Sequence, residues 1–152
     1  MKIAPPTKDE AQRLKALYDY DVLDTEAEKI FDDLTQLAAQ ICNTPITLIS
    51  LVDPDRQWFK SKVGLDAEET SRDIAFCSHA IHQQEIFEVE DTLQDERFFD
   101  NPLVTSAPNI RFYAGTPLVT PKGHAIGTLC VIDNKPNKLT KEQRQALDVL
   151  GR

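Results

Sequence analysis

A chain of 152 residues, 41% hydrophobic and 28% charged, suits one globular domain able to bury roughly 70% of the surface its unfolded form exposes. Its 17 Lys and Arg against 25 Asp and Glu leave a net charge of -8, a field that repels phosphate backbones and anionic lipid and so argues against nucleic-acid partners and membrane insertion. The most apolar run, 46–52, falls short of the ~20 residues that span a bilayer, the N-terminus lacks a signal-peptide core, and the five glycines form neither GxGxxG nor a phosphate loop. The expectation is a cytoplasmic protein without a Walker or dinucleotide site. Cys42, Cys77 and Cys130 are widely spaced and include no CxxC pair, so they read as thiols in a reducing compartment.

Thr7 with Glu10 predicts a capping box for a first helix whose apolar face, Leu14, Leu17 and Tyr18, is narrow enough to rest on another chain. Thr25 with Glu28 predicts a second box, before a helix burying Ile30, Phe31, Leu34, Leu37, Ala38 and Ile41 at three-and-four spacing. Pro45 stops it, because the residue before a proline is biased out of the helical region. The period then changes. The β-branched run 46–53, the turn residues Asp53-Pro54-Asp55 and the run 56–63 predict a hairpin. Residues 64–72 are polar and aperiodic, a long excursion over the sheet.

Residues 76–84 suit a short helix and 86–89 a short strand; 91–108, punctuated by Asp, Asn and two prolines, suits a loop with at most a helical turn. The runs 110–119 and 125–133 flank Thr120-Pro121-Lys122-Gly123 and predict an antiparallel hairpin. A third box, Thr140 to Gln143, opens a last helix with Ala146, Leu147 and Leu150 on its apolar edge. The sum is an α+β domain around a mainly antiparallel sheet.

The segments FDDLTQLAAQICNTPITLISLVDPDRQWFKSKVGL, FCSHAI and IRFYAGTPLVTPKGHAIGTLCVID, in that order, resemble a GAF domain of the bacterial signalling type. The resemblance implies a central antiparallel sheet of five or six strands, with N- and C-terminal helices on one face and ligand-pocket loops on the other. It divides the chain into an N-terminal helix at 1–24 that serves dimerisation, a GAF core at 25–138, and a C-terminal helix at 139–152 leading to an output domain such as a histidine kinase or diguanylate cyclase. It further implies a small-molecule sensor, not catalytic by itself, that is a homodimer through its terminal helices. The alternatives are a ligand-free dimerisation module and a cysteine-based redox sensor or methionine sulfoxide reductase-like enzyme.

The candidate ligand-binding residues are Phe76, Cys77, His79, Asp91, Phe98, Arg111, Tyr113, Thr116, Thr128 and Cys130. Arg111 and Tyr113 share a strand face, where a cation and a phenol could hold a small polar ligand; Arg111 could equally pair with Asp91, Asp95 or Asp100 and anchor a loop. Thr128 and Cys130 share a face of the neighbouring strand, and Cys42, ending an apolar stripe, reads as a small buried hydrophobe. The cofactor is left unnamed. Zinc is disfavoured because Cys77 lies about 200° round a helix from His79, which shares its face with His82. The motifs of bilin-binding photoreceptors and of cyclic-nucleotide-binding members have no counterpart here, and nothing directs haem.

Overall fold

In the computed structural model, which describes residues 1–151, six strands form one antiparallel sheet in the order β3-β2-β1-β6-β5-β4 among the described residues. They are β1 (Ile46–Val52), β2 (Arg56–Val63), β3 (Glu69–Ser71), β4 (Phe87–Val89), β5 (Phe112–Val119) and β6 (Ala125–Asp133). Helices α1 (Glu10–Tyr20), α2 (Lys29–Cys42) and α5 (Lys141–Leu150) flank the sheet, while short α3 (Cys77–Ala80) and α4 (Pro102–Thr105) belong to the loops. Arg152, the last residue of the segment 139–152, lies outside the described residues.

Both expected hairpins form, and the centre of the sheet is the long-range pair β1–β6, with Leu48 opposite Cys130 and Ile49 opposite Leu129. Successive strand residues point to opposite faces, so each central strand serves two cores. On the helix side Ile49, Phe112, Ala114, Leu129 and Val131 pack with Ala38, Cys42 and Leu147. On the loop side Leu48, Tyr113, Cys130 and Ile132 pack with Phe76, Ala80, Phe87 and Phe98. β1 is buried at every position because both of its faces are covered.

The helices differ from expectation in informative ways. The Thr140 box is present, its hydroxyl accepting from Gln143 N–H and the Gln143 carbonyl accepting from Thr140 N–H. Thr7 instead donates, through both N–H and hydroxyl, to Glu10 Oε1, because that carboxylate is held by two arginines. Thr25 caps nothing: its hydroxyl donates to Val22 O and accepts from Lys60 Nζ, so α2 starts only at Lys29. Of the expected stripe of α2, Phe31, Leu34, Ala38 and Ile41 pack on the helix-side core, whereas Ile30 (67% exposed) and Leu37 (44%) face out and Thr35 and Cys42 face in. The inward Thr35 hydroxyl is satisfied there, lying 2.8 Å from that of Ser61 on β2.

Of the stripe of α1, Leu17 rests on its own chain, fully buried against Leu51, Trp58 and Ile126, while Tyr18 is exposed. The excursion 64–72 contains a strand as well, since Thr70 pairs with Gln57 and Glu69 with Trp58.

Candidate functional site

The loops over the second face of the sheet enclose a cavity of about 360 Å³. Its floor is made by the alternate residues of four strands: Ile46 and Leu48, Gln57 and Phe59, Tyr113, then Cys130 and Ile132. Its roof is Leu65 and Ala67 of the 64–72 loop, Phe76 and Cys77 at the start of α3, and Leu103, Ala107, Pro108 and Ile110 of the second loop. Gly64, with φ +79°, lets the chain turn from β2 into the roof; a Cβ there would stand 2.0 Å from Pro45 O.

The walls are apolar apart from two polar strips. In one, Ser50 Oγ donates to Gln57 Oε1 (2.9 Å) and Gln57 Nε2 donates to Thr70 Oγ1 (2.7 Å), so the buried amide is fixed in one orientation. In the other, Cys77 Sγ lies 3.2 Å from Tyr113 Oη and 3.0 Å from Thr128 Oγ1, and these hydroxyls are 3.4 Å apart. Gly115 makes room for this cluster, because a Cβ on it would meet Tyr113 Oη at 2.4 Å. Asp66 is the one carboxylate among the described lining residues, which include no Lys, Arg or His.

Burial opposes ionisation of Cys77, but hydrogen bonds from its neighbours, those of Thr128 and Tyr113 among them, outweigh it and bring the thiol down to about 6. The hydrogen bond to Cys77 drives Cys130 in the opposite direction, with burial adding to it, and burial together with the neighbouring sulfurs raises Tyr113. Cys42, by contrast, is pushed up to about 11 by burial in the helix-side core.

Of the candidate residues, Phe76, Cys77, Tyr113 and Cys130 come together on the cavity wall, with Thr128 bonded to Cys77. Phe98 stands behind them, stacked on Phe76 at 4.1 Å between centroids. His79 turns outward, its Nε2 donating to Lys2 O (3.1 Å), and burial holds it below the usual imidazole range. Asp91 accepts from Leu93 N–H and so starts the turn at 92–94. The Arg111 guanidinium donates to Val104 O (2.8 Å) and Ile110 O (3.1 Å), anchoring the second loop through carbonyls rather than through a carboxylate. Thr116 faces Gly151 on the other side of the sheet.

Gln57, Phe59 and Thr70 escaped the sequence reading, although the parity of strand 56–63 puts Gln57 and Phe59 on one face. A second connection was also missed. Arg13, fully buried, donates to Val52 O (2.7 Å) and to Glu10 Oε2 (2.9 Å), while Arg72 clasps the same carboxylate (2.7 and 2.9 Å) and Asp53 O (3.0 Å). Arg72 opens the turn that runs directly into Phe76 and Cys77, so α1 is bolted to the cavity roof. All three histidines of the chain reinforce the bolt: His79 holds Lys2 O, His82 Nε2 donates to Pro5 O (2.7 Å), and His124 Nδ1 donates to Asp9 Oδ2 (2.5 Å).

The fold is similar to a type II free methionine-R-sulfoxide reductase from Thermoplasma acidophilum (TM-score 0.67, 14% identity, 90% of each chain covered). It is also similar to the GAF domain of an Acinetobacter phosphoenolpyruvate-protein phosphotransferase (TM-score 0.64, 17% identity, 93% of this chain and 87% of that one). At such identities the likeness is one of fold. In sequence the chain is 41% identical over 147 residues to a cyclic di-GMP phosphodiesterase of Pseudomonas aeruginosa, covering 97% of this chain but 25% of that relative, so it spans about a quarter of the relative's length. The model of the GAF domain matches residues 26–152, and the chain accordingly belongs to the GAF domain family.

Proposed function

We propose that this domain is a small-molecule sensor in a signalling protein, and the observation that carries the reading is the cavity of about 360 Å³ between the sheet and its loops. That volume lies in the lower part of the ~300–1,000 Å³ range of small-molecule sites, and its walls are apolar with a few converging hydroxyl, thiol and amide groups. With no cation among the described lining residues and Asp66 at the rim, the wall suits a compact neutral ligand. The phosphates of a cyclic nucleotide or a cyclic dinucleotide would find no charge partner.

Ligand would act by favouring one arrangement of the loops 64–72 and 91–108 over another, which requires different affinities for the two states. Two physical links support transmission. Glu10 joins Arg72 of the roof to α1, and Glu88 of β4 pairs with Arg144 of α5 and accepts from Leu139 N–H (2.9 Å). The output lies in another part of a longer protein, a histidine kinase or diguanylate cyclase by the family resemblance or a phosphodiesterase by the Pseudomonas relative. Homodimerisation through the terminal helices belongs to the same proposal, supported by the exposed Tyr18 and Tyr20 of α1 and Val149 of α5.

Native mass spectrometry of protein taken directly from cells tests the reading. A bound neutral molecule is expected on the wild-type chain and absent from a Leu48→Trp variant whose side chain fills the cavity. A wild-type chain without adduct, whose hydrogen exchange in 64–72 and 91–108 stays constant across a metabolite extract, would overturn it.

A further inference from the structure

The cavity has two unlike ends. Along its floor the pairs between β1 and β6 run from Ile46 opposite Ile132, through Leu48 opposite Cys130, to Ser50 opposite Thr128. The first end is apolar, roofed by Leu65 and Leu103, with the exposed Asp66, Ala67 and Ala107 at its rim. At the other end the polar side chains collect. Ser50, Gln57 and Thr70 form a hydrogen-bonded row across three strands, and Cys77, Tyr113 and Thr128 form a second group beside it. Gln57, Cys77 and Tyr113 are 5%, 2% and 1% exposed, so the polar end is the deep one and the apolar end is the mouth.

Gln57 has bonding capacity to spare at the deep end. Its amide can make four hydrogen bonds and makes two with the protein, one from Nε2 and one to Oε1, which leaves an N–H and a carbonyl lone pair for the occupant of the cavity. Buried polar groups are costly until they are paired, so this amide selects a head group that both donates and accepts. A hydroxyl or a primary amide does both. A carboxylate only accepts, and no Lys, Arg or His lines the cavity to balance its charge. An ammonium only donates, leaving the Gln57 N–H unpaired and carrying three N–H groups into a mostly apolar wall.

We propose that the ligand class is a compact neutral amphiphile, an aliphatic chain ending in a hydroxyl or primary amide, bound head inward on Gln57 with its tail along Leu48, Ile46 and Ile132 towards the mouth. This assignment rests on the sensor reading above and divides recognition in two. Gln57 reads the head, and the loops 64–72 and 91–108 read the tail. Each methylene that reaches the roof takes apolar surface of Leu65 and Leu103 out of water, so chain length sets how firmly the two loops are held together. A cavity of about 360 Å³ has room for on the order of a dozen non-hydrogen atoms, at the ~30 Å³ that a molecule of liquid water occupies.

The test is isothermal titration calorimetry of the chain with octanamide, 1-octanol, octanoate and octylammonium, followed by hydrogen exchange of each complex. Octanamide and 1-octanol should bind at least about tenfold more tightly than either ion. Across butanamide, hexanamide and octanamide the affinity should rise about threefold per methylene. In Gln57→Leu the ratio of octanamide to ethylbenzene affinity should fall about tenfold, because the hydrocarbon has no head to lose. Thr70→Val, at a half-buried position, removes the acceptor that holds Gln57 Nε2 and should lower the same ratio severalfold, which decides the matter if Gln57→Leu does not fold. An ion that matches octanamide overturns the assignment, as does a wild-type ratio in the folded variants or a wild-type chain that binds none of the four probes. Failure of the sensor reading has a different mark: octanamide binds as expected, yet hydrogen exchange in 64–72 and 91–108 does not change.

Discussion

The two faces of the sheet are built from the same strands and do opposite things. On β6, Leu129 and Val131 enter a core closed by α2 and α5, while Thr128, Cys130 and Ile132, one residue out of step, enter a space closed by loops. Long helices present continuous apolar stripes that interdigitate with a sheet and leave little void. Loops bring backbone polar groups that need partners, as when Arg111 satisfies Val104 O, and they close less completely. Stability is therefore concentrated on one face and the capacity for change on the other.

Paired truncations break or sharpen this contrast. Leu129→Ala, in the closed core, should cost about 3 kcal/mol in urea unfolding, because the helices cannot collapse into the hole. Leu48→Ala, already bordering the cavity, should cost about 2 kcal/mol, since part of its surface has no packing partner to lose. Equal costs would mean that the loop face is as tightly packed as the helix face.

Between these faces lies the Glu10 bolt. Burial opposes the charge of Glu10, but Arg72 and Arg13 hold its carboxyl well below the usual carboxylate range. A depressed folded-state value means that this stabilisation is present above the unfolded pKa, near 4.3, and is lost as pH falls below it. Stability of the wild type should therefore decline below about pH 4 more steeply than that of Glu10→Gln, measured by thermal melts at stepped pH. The smallest expected effect is Thr140→Ala, about 1 kcal/mol of lost capping in α5, with the cavity face unchanged by hydrogen exchange.

The legible parts of the sequence were those governed by local chemistry. The strand runs 46–53 and 125–133, their turn residues and the Thr140 box appear where expected, because period and cap act within a few residues. Strand parity and the family resemblance pointed to Phe76, Cys77, Tyr113 and Cys130, all of which line the one cavity. What local chemistry could not reveal depends on distant partners. Thr25 looks like a cap until Lys60, 35 positions away, takes its oxygen. Arg13 reads as one more solvated helix charge, yet the Val52 carbonyl and Glu10 make its complete burial tolerable. The burial of Thr35 on α2 is likewise accommodated by Ser61, 26 positions away, which no periodicity within the helix can register.

The link from Glu10 to Arg72 carries a thermodynamic obligation. Whatever free energy ligand binding in the cavity spends on shifting α1, a partner that shifts α1 must return to the cavity in equal measure, because coupling between two binding events is reciprocal. On the proposed sensor reading, the proteins around this domain would set how tightly it holds a ligand, and an affinity measured on the isolated chain would describe only one setting of an adjustable receptor.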